Sequence, residues 1–165
     1  MLAVFAAAAV MASEAQASVF GDSARGVGKA GPCITFPGPD TCALGAGQFA
    51  FIALGFPGGA VGGYTQVKDT GSRQTGIIRC MEVAGNQAVI GRTAIGTAGI
   101  ENGTKWSIWV IDNGPAGSTP PDLISPLFFY DDATADPCAT TFAPPFALGY
   151  MPVTAGDIVV RDGTL

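Results

Sequence analysis

The 165-residue chain contains no histidine. That removes the commonest general base and the commonest metal ligand together, and neither a Ser-His-Asp nor a Cys-His arrangement can be built from what is left. Charge is also scarce: 13% of residues are charged, with eight Lys and Arg against 13 Asp and Glu and a pI near 4.4. Nucleic acid binding needs clustered cations to displace counterions, and an anionic membrane surface attracts them in the same way, so neither is an expected partner. The G-x-S-x-G, P-loop and βαβ-type G-x-G-x-x-G patterns are missing. None of the four cysteines forms C-x-x-C, which argues against a zinc site or a dithiol redox motif. No segment reads as a convincing amphipathic helix. The reading therefore includes no cofactor, no metal and no catalytic residue.

What the chain has instead is 24 glycines, 12 prolines and 48% hydrophobic residues. This fits a β-rich, turn-rich fold with enough apolar surface for one core. Residues 1–17 read as a secretory signal. Leu2 to Ala12 is an uncharged apolar run too short to span a bilayer, and Ala15-Gln16-Ala17 offers a small-x-small cleavage site. No cation precedes that run, which points to a basic segment upstream of Met1. The expected localisation is secreted or extracellular, at the cell envelope or beyond it, with no membrane insertion after the signal is removed. Residues 18–165 then form a single all-β domain.

Export gives the cysteines a role, since an even number in an oxidising compartment reads as a disulfide framework. Cys33 and Cys42 bracket a Pro/Gly loop that a local bond would close, which leaves Cys80 to pair with Cys138. On chain-entropy reasoning the short closure contributes roughly 3 kcal/mol and the long one about 4 kcal/mol.

The clearest structural signal is the hairpin Arg79 to Gly91. Its turn is Gly85-Asn86, a dipeptide that tolerates the positive φ of a tight loop. Val83 should face Ala88 and Met81 should face Ile90, with all four on the buried side. Around it, strands are expected within 18–29, 49–56, 61–69, 76–84, 87–95, 105–112, 122–130 and 155–162. Lys105 to Asp112 is the strongest of these. Trp106, Ile108 and Val110 share one face, and Trp109 lies on the other with Lys105, Ser107 and Ile111, so neither face is fully wet. Pro126 interrupts the strand at 122–130 and places it at an edge or bulge. About eight antiparallel strands joined by hairpins mean a small barrel or a sandwich. Glycines inside the strands favour the barrel.

Candidate site residues are few. Asp112 with Asp122, and Asp131-Asp132 with Asp136, are paired carboxylates of the kind a glycosidase uses. Asp112-Asn113-Gly114 also resembles the start of a calcium loop, although no Glu follows at the required spacing. Turns are rich in Asp and Asn in any case, and capping is the plainer role. Trp109, Tyr64, Phe128, Phe129 and Tyr130 are candidates for a barrel lining or a carbohydrate platform, against a plain core role. Arg79 shares parity with Met81 and Val83, which points it inward near a rim, where it would need an acid partner. Arg79, Trp109, Asp112 and Asp122 are thus the ligand-facing candidates.

Three stretches taken together resemble a family of small secreted bacterial proteins common in actinobacteria. They are Cys80 to Gly91, Val110 to Gly117 and Gly156 to Val160. The family pattern is roughly a Cys-x-x-Val-x-Gly-Asn-x-Ala hairpin, a Val-x-Asp-Asn-Gly turn and a closing Gly-Asp/Asn-Ile-Val strand, and the likeness covers about residues 48–163. The resemblance implies a compact all-β domain outside the cytoplasm, sometimes appended to larger surface proteins. It implies no activity, cofactor or catalytic residue. This chain departs from the pattern at Pro115-Ala116-Gly117 and in its long loop around Cys138. The expected function is a secreted, non-enzymatic binding or surface-structural module, with a glycan, a small apolar ligand or a protein as partner. The alternatives are a barrel carrying an apolar molecule among Phe51, Trp106 and Met81, and a carboxylate-based glycan hydrolase.

Overall fold

A computed structural model describes residues 21–31, 47–56, 59–68, 73–95, 103–130, 138 and 150–163. Residues 1–17, read above as a signal, the 33–42 loop and Asp131, Asp132 and Asp136 lie outside the described residues. The nine strands are β1 (Ser23–Ala30), β2 (Gly47–Gly55), β3 (Val61–Lys68), β4 (Arg73–Ala84), β5 (Gln87–Ala94), β6 (Lys105–Ile111), β7 (Leu123–Ile124), β8 (Phe128–Tyr130) and β9 (Met151–Arg161). Among the described residues there is no helix, and none is long and apolar enough to cross a membrane.

All pairings are antiparallel. β1 to β6 form a meander, β7 pairs with both β6 and β9, and β9 returns to β1. The result is a closed eight-stranded barrel, not a sandwich, with β8 as an extra strand beside β6. β7 and β8 are the two halves of the strand expected at 122–130. Pro126 has no N–H to give to a ladder, so pairing stops at Ile124 and resumes at Phe128.

The hairpin forms with the expected register, Val83 opposite Ala88 and Met81 opposite Ile90, around the turn at Gly85-Asn86. A bulge at Arg79 shifts the register between Ile78 and Cys80. Ile78 and Met81 are therefore both buried although they differ in parity. β9 begins at Met151, four residues earlier than the sequence suggests. The cause is Gly156, which has φ +100° and sits where any Cβ would meet the Val27 carbonyl oxygen at 2.0 Å. This kink reads as a strand start, yet the chain is already paired with β7 before it.

The interior is packed with side chains. Phe49, Phe51, Ile78, Ile90, Trp106, Ile108, Ile124 and Ile158 belong to one buried cluster that also takes in Met81. A second, smaller cluster covers the outer face of β6, where Val89, Trp109 and Cys138 are buried against Cys80, Phe128 and Tyr150. Cys80 and Cys138 are bonded, as expected, with Cα atoms 6.0 Å apart.

Candidate functional site

At one end of the barrel the two candidate carboxylates meet β9. The β7 strand is only two residues long, so most of that edge of β9 has no backbone partner on that side. Asp122 Oδ2 accepts the Ile158 N–H at 2.8 Å and Asp112 Oδ2 accepts the Val160 N–H at 3.0 Å. Their other oxygens accept N–H groups of the loop between them, Asn113 to Asp122 at 2.8 Å and Gly114 to Asp112 at 2.9 Å. The same end is tied to the hairpin: Asn86 Nδ2 donates to the Asp112 carbonyl at 2.7 Å, and Asp162 accepts the Gly85 N–H at 3.0 Å. The acids here act as side-chain rungs in place of a missing ladder. All four carboxylate oxygens of Asp112 and Asp122 accept N–H groups, and Asp122 is buried while Asp112 is half-buried. Among the described residues, no group of three or more His, Cys, Asp or Glu side chains is placed to hold a metal.

Asp157 lies beside this pair on β9. Burial raises its pKa, Asp122 and Asp112 raise it further, and Arg25 pulls it the other way. Its Oδ1 is shut off from solvent and meets no donor among the described residues.

Two other candidates need correction. Arg79 does not point inward: the bulge turns it out, and it is exposed. Trp109 does not face a ligand, because the disulfide-anchored Cys138 covers it and Phe128 packs against it edge-on at 6.3 Å. Phe128, Phe129 and Tyr130 are each half-buried, and Phe129 sits 4.9 Å from Trp106. Of the aromatic candidates only Tyr64 is exposed.

The reading of the sequence missed Arg92. It is fully buried inside the barrel, with its guanidinium carbon 3.9 Å from the Trp106 ring centre. Nη1 donates to Thr65 Oγ1 at 2.6 Å, while Nε and Nη2 have no partner among the described residues. Gly76 makes room, since a Cβ there would come within 2.9 Å of Arg92 Cδ. Burial lowers the Arg92 pKa to about 9, which leaves it a cation at neutral pH. The signal was available: Arg92 is two residues beyond Ile90 on the inward face of β5.

A concave surface lies on the outside of the wall formed by β9, β1, β2, β3 and β4. Register places outward residues in rows. Val159, Arg25, Ile52 and Tyr64 are cross-strand neighbours in one row, and Asp157, Val27, Ala50 and Gln66 in the next. Val27 is 64% exposed, Ile52 46% and Tyr64 42%, an apolar stripe flanked by Ala50 and Val159. They line a groove of about 450 Å³ with Arg25 and Asp157 at its side. It continues past Val27 and Ala50 into a second groove of about 630 Å³, where Lys29, Lys68 and Arg73 stand with Gln48 and Gln66.

These features define a closed, disulfide-bonded antiparallel barrel whose acids serve its frame and whose concave surface is external. No protein-family model matches the chain, and no curated protein or solved structure matches it.

Proposed function

We propose that the protein is a secreted, non-enzymatic β-barrel module that binds its partner on the outer wall of β9, β1, β2, β3 and β4. The observation that carries this reading is the exposed Val27–Ile52–Tyr64 stripe lining a groove on the outer wall. Exposed apolar patches of this kind mark interaction sites. The Cys80–Cys138 bond supports export, because such bonds persist in oxidising compartments. The likeness to small secreted bacterial proteins points the same way. The carrier alternative draws less support, since Phe51, Trp106 and Met81 pack together in one filled core. The hydrolase alternative draws less still, because Asp112 and Asp122 are occupied as rungs. Membrane insertion is disfavoured by the pattern of the wall. Its inward face is mostly apolar while Arg25, Lys29, Lys68 and Arg73 project outward, the reverse of a membrane-spanning barrel.

The test is a thermal-shift panel of glycans, fatty acids, peptides and metal ions against the wild type and a Val27→Ser/Ile52→Gln variant. The expected result is at least one ligand that raises the melting temperature of the wild type and not of the variant. Shifts of equal size in both proteins, or none in either, overturn the outer-wall reading.

A further inference from the structure

We infer that the groove takes a single-chain anionic amphiphile, with its acidic head among Lys29, Lys68 and Arg73 and its alkyl chain along Val27, Ile52 and Tyr64. The inference rests on the outer-wall reading above and names its ligand class. Register is the starting point. Lys29 is opposite Gln48, Gln48 opposite Lys68, and Lys68 opposite Arg73. One row across four strands therefore carries three cations, with neighbouring strands about 5 Å apart. Like charges directly opposite one another on a sheet repel. Here Lys68 and Arg73 are exposed and opposed, and no carboxylate among the described residues lines that half of the groove. A chain with eight cations and a net charge of −5 thus concentrates three of them in one row, with Lys68 and Arg73 in direct opposition. A bound anion relieves that repulsion and a neutral ligand does not.

The apolar half sets the rest of the ligand. Val27 lies two residues along the strands from the cationic row, and Ile52 and Tyr64 lie four residues along. Four residues of strand span about 13 Å, which an extended chain of roughly ten carbons covers with C–C bonds of about 1.5 Å. The two halves join at Val27 and Ala50, so head and chain fit one continuous path. Orientation follows from charge. At the apolar end Asp157 offsets Arg25 and repels an anion, whereas no acid among the described residues lines the cationic half. A bilayer surface fits less well, because it calls for cations around an apolar tip, and these three cations stand together at one end of the stripe.

Calorimetric titration of the mature protein with dodecanoate, kept below its micelle concentration, tests the inference. Acetate and dodecyltrimethylammonium serve as head-only and opposite-charge controls. One dodecanoate should bind per barrel, with both controls weaker by about tenfold or more and with affinity falling as salt is added. Lys68→Glu/Arg73→Glu should weaken dodecanoate about tenfold or more, and Ile52→Gln should weaken it separately, each with melting temperature checked to show folding. Equal binding of dodecanoate and dodecyltrimethylammonium, or binding unchanged in the Lys68→Glu/Arg73→Glu variant, overturns the anionic head. Binding to anionic phospholipid vesicles as tight as to free dodecanoate overturns the single-chain ligand in favour of a membrane. If dodecanoate fails while another compound still gives an Ile52-dependent thermal shift, the ligand class falls and the outer-wall reading stands. If no compound gives a groove-dependent signal, both fall.

Discussion

Arg92 brings a charge into the barrel interior with one hydrogen bond and one aromatic face for company. A buried ion this sparsely paired costs stability, and replacing it with a packed apolar chain of similar length is often neutral or stabilising by about 1–4 kcal/mol. Arg92→Met should therefore hold or raise the denaturation midpoint. Arg92→Ala should lower it by about 2–5 kcal/mol through the cavity it leaves under Trp106. Thr65→Val should also destabilise, by about 1–3 kcal/mol, because it strips Nη1 of its acceptor. Equal losses in the Met and Ala variants would mean that the cation is well paired after all. Asp157 gives a second residue-scale expectation, this time in pH. Its folded pKa is raised by desolvation and by Asp122 and Asp112, so the folded state binds the proton more tightly than the unfolded state. Its contribution is favourable below the ordinary carboxyl pKa and is lost as pH rises through the higher folded value. Asp157→Asn should then melt higher than the wild type at pH 7, with the difference shrinking to nothing near pH 3. A gap that widens on acidification contradicts this assignment.

Among the elements, β9 carries most of the irregularity. Its inner end pairs with β7, its middle is kinked at Gly156, and its far end is held by carboxylates instead of a strand. Gly156→Ala adds a Cβ against the Val27 carbonyl and demands a left-handed φ of a non-glycine residue. Several kcal/mol of destabilisation should follow, visible as a large drop in denaturation midpoint. Asp122→Asn keeps the shape but puts an amide NH₂ against an N–H donor. Loss of about 2–3 kcal/mol is expected for a charge-assisted bond of this type, and hydrogen exchange should speed at the Ile158 amide more than at Ile90. Uniform acceleration across both would show that the carboxylate is not a local rung. How legible this was in the sequence differs by element. The turn of the β4–β5 hairpin and the pairing from Met81 to Ile90 were readable because Gly85-Asn86 sets the register locally. The role of Asp112 and Asp122 was readable only as a choice between capping, calcium binding and catalysis, since the two N–H groups of β9 that they accept lie 36 and 48 residues away. The Arg79 bulge left no mark at all: one extra residue in a strand changes parity without changing composition. The cationic row was equally hidden, because Lys29, Lys68 and Arg73 come together only through the registers of three strand pairs.

For the whole molecule, closure depends on long-range ties: β9 meets β1 across almost the full described chain, and the disulfide spans 58 residues of sequence. The bond joins β4 to Cys138, which packs as a cover on the outer face of β6. Val89 and Trp109 lie beneath it, and Trp109 is as buried there as Trp106 is in the interior. Two consequences can be separated. The loop-closure effect of a bond of this span is about 4 kcal/mol, exerted on the unfolded chain. The local effect is loss of the cover, which exposes one tryptophan and leaves the other enclosed. A Cys80→Ser/Cys138→Ser variant should therefore retain the β-sheet signature in circular dichroism while its denaturation midpoint falls. Its emission should shift toward that of a hydrated indole, and acrylamide quenching should report one accessible tryptophan of the two. Adding Trp109→Phe to that variant should abolish the red shift, whereas adding Trp106→Phe should preserve it. If instead both tryptophans become quenchable together with loss of the sheet signal, the bond is holding the barrel closed and not merely its outer cover.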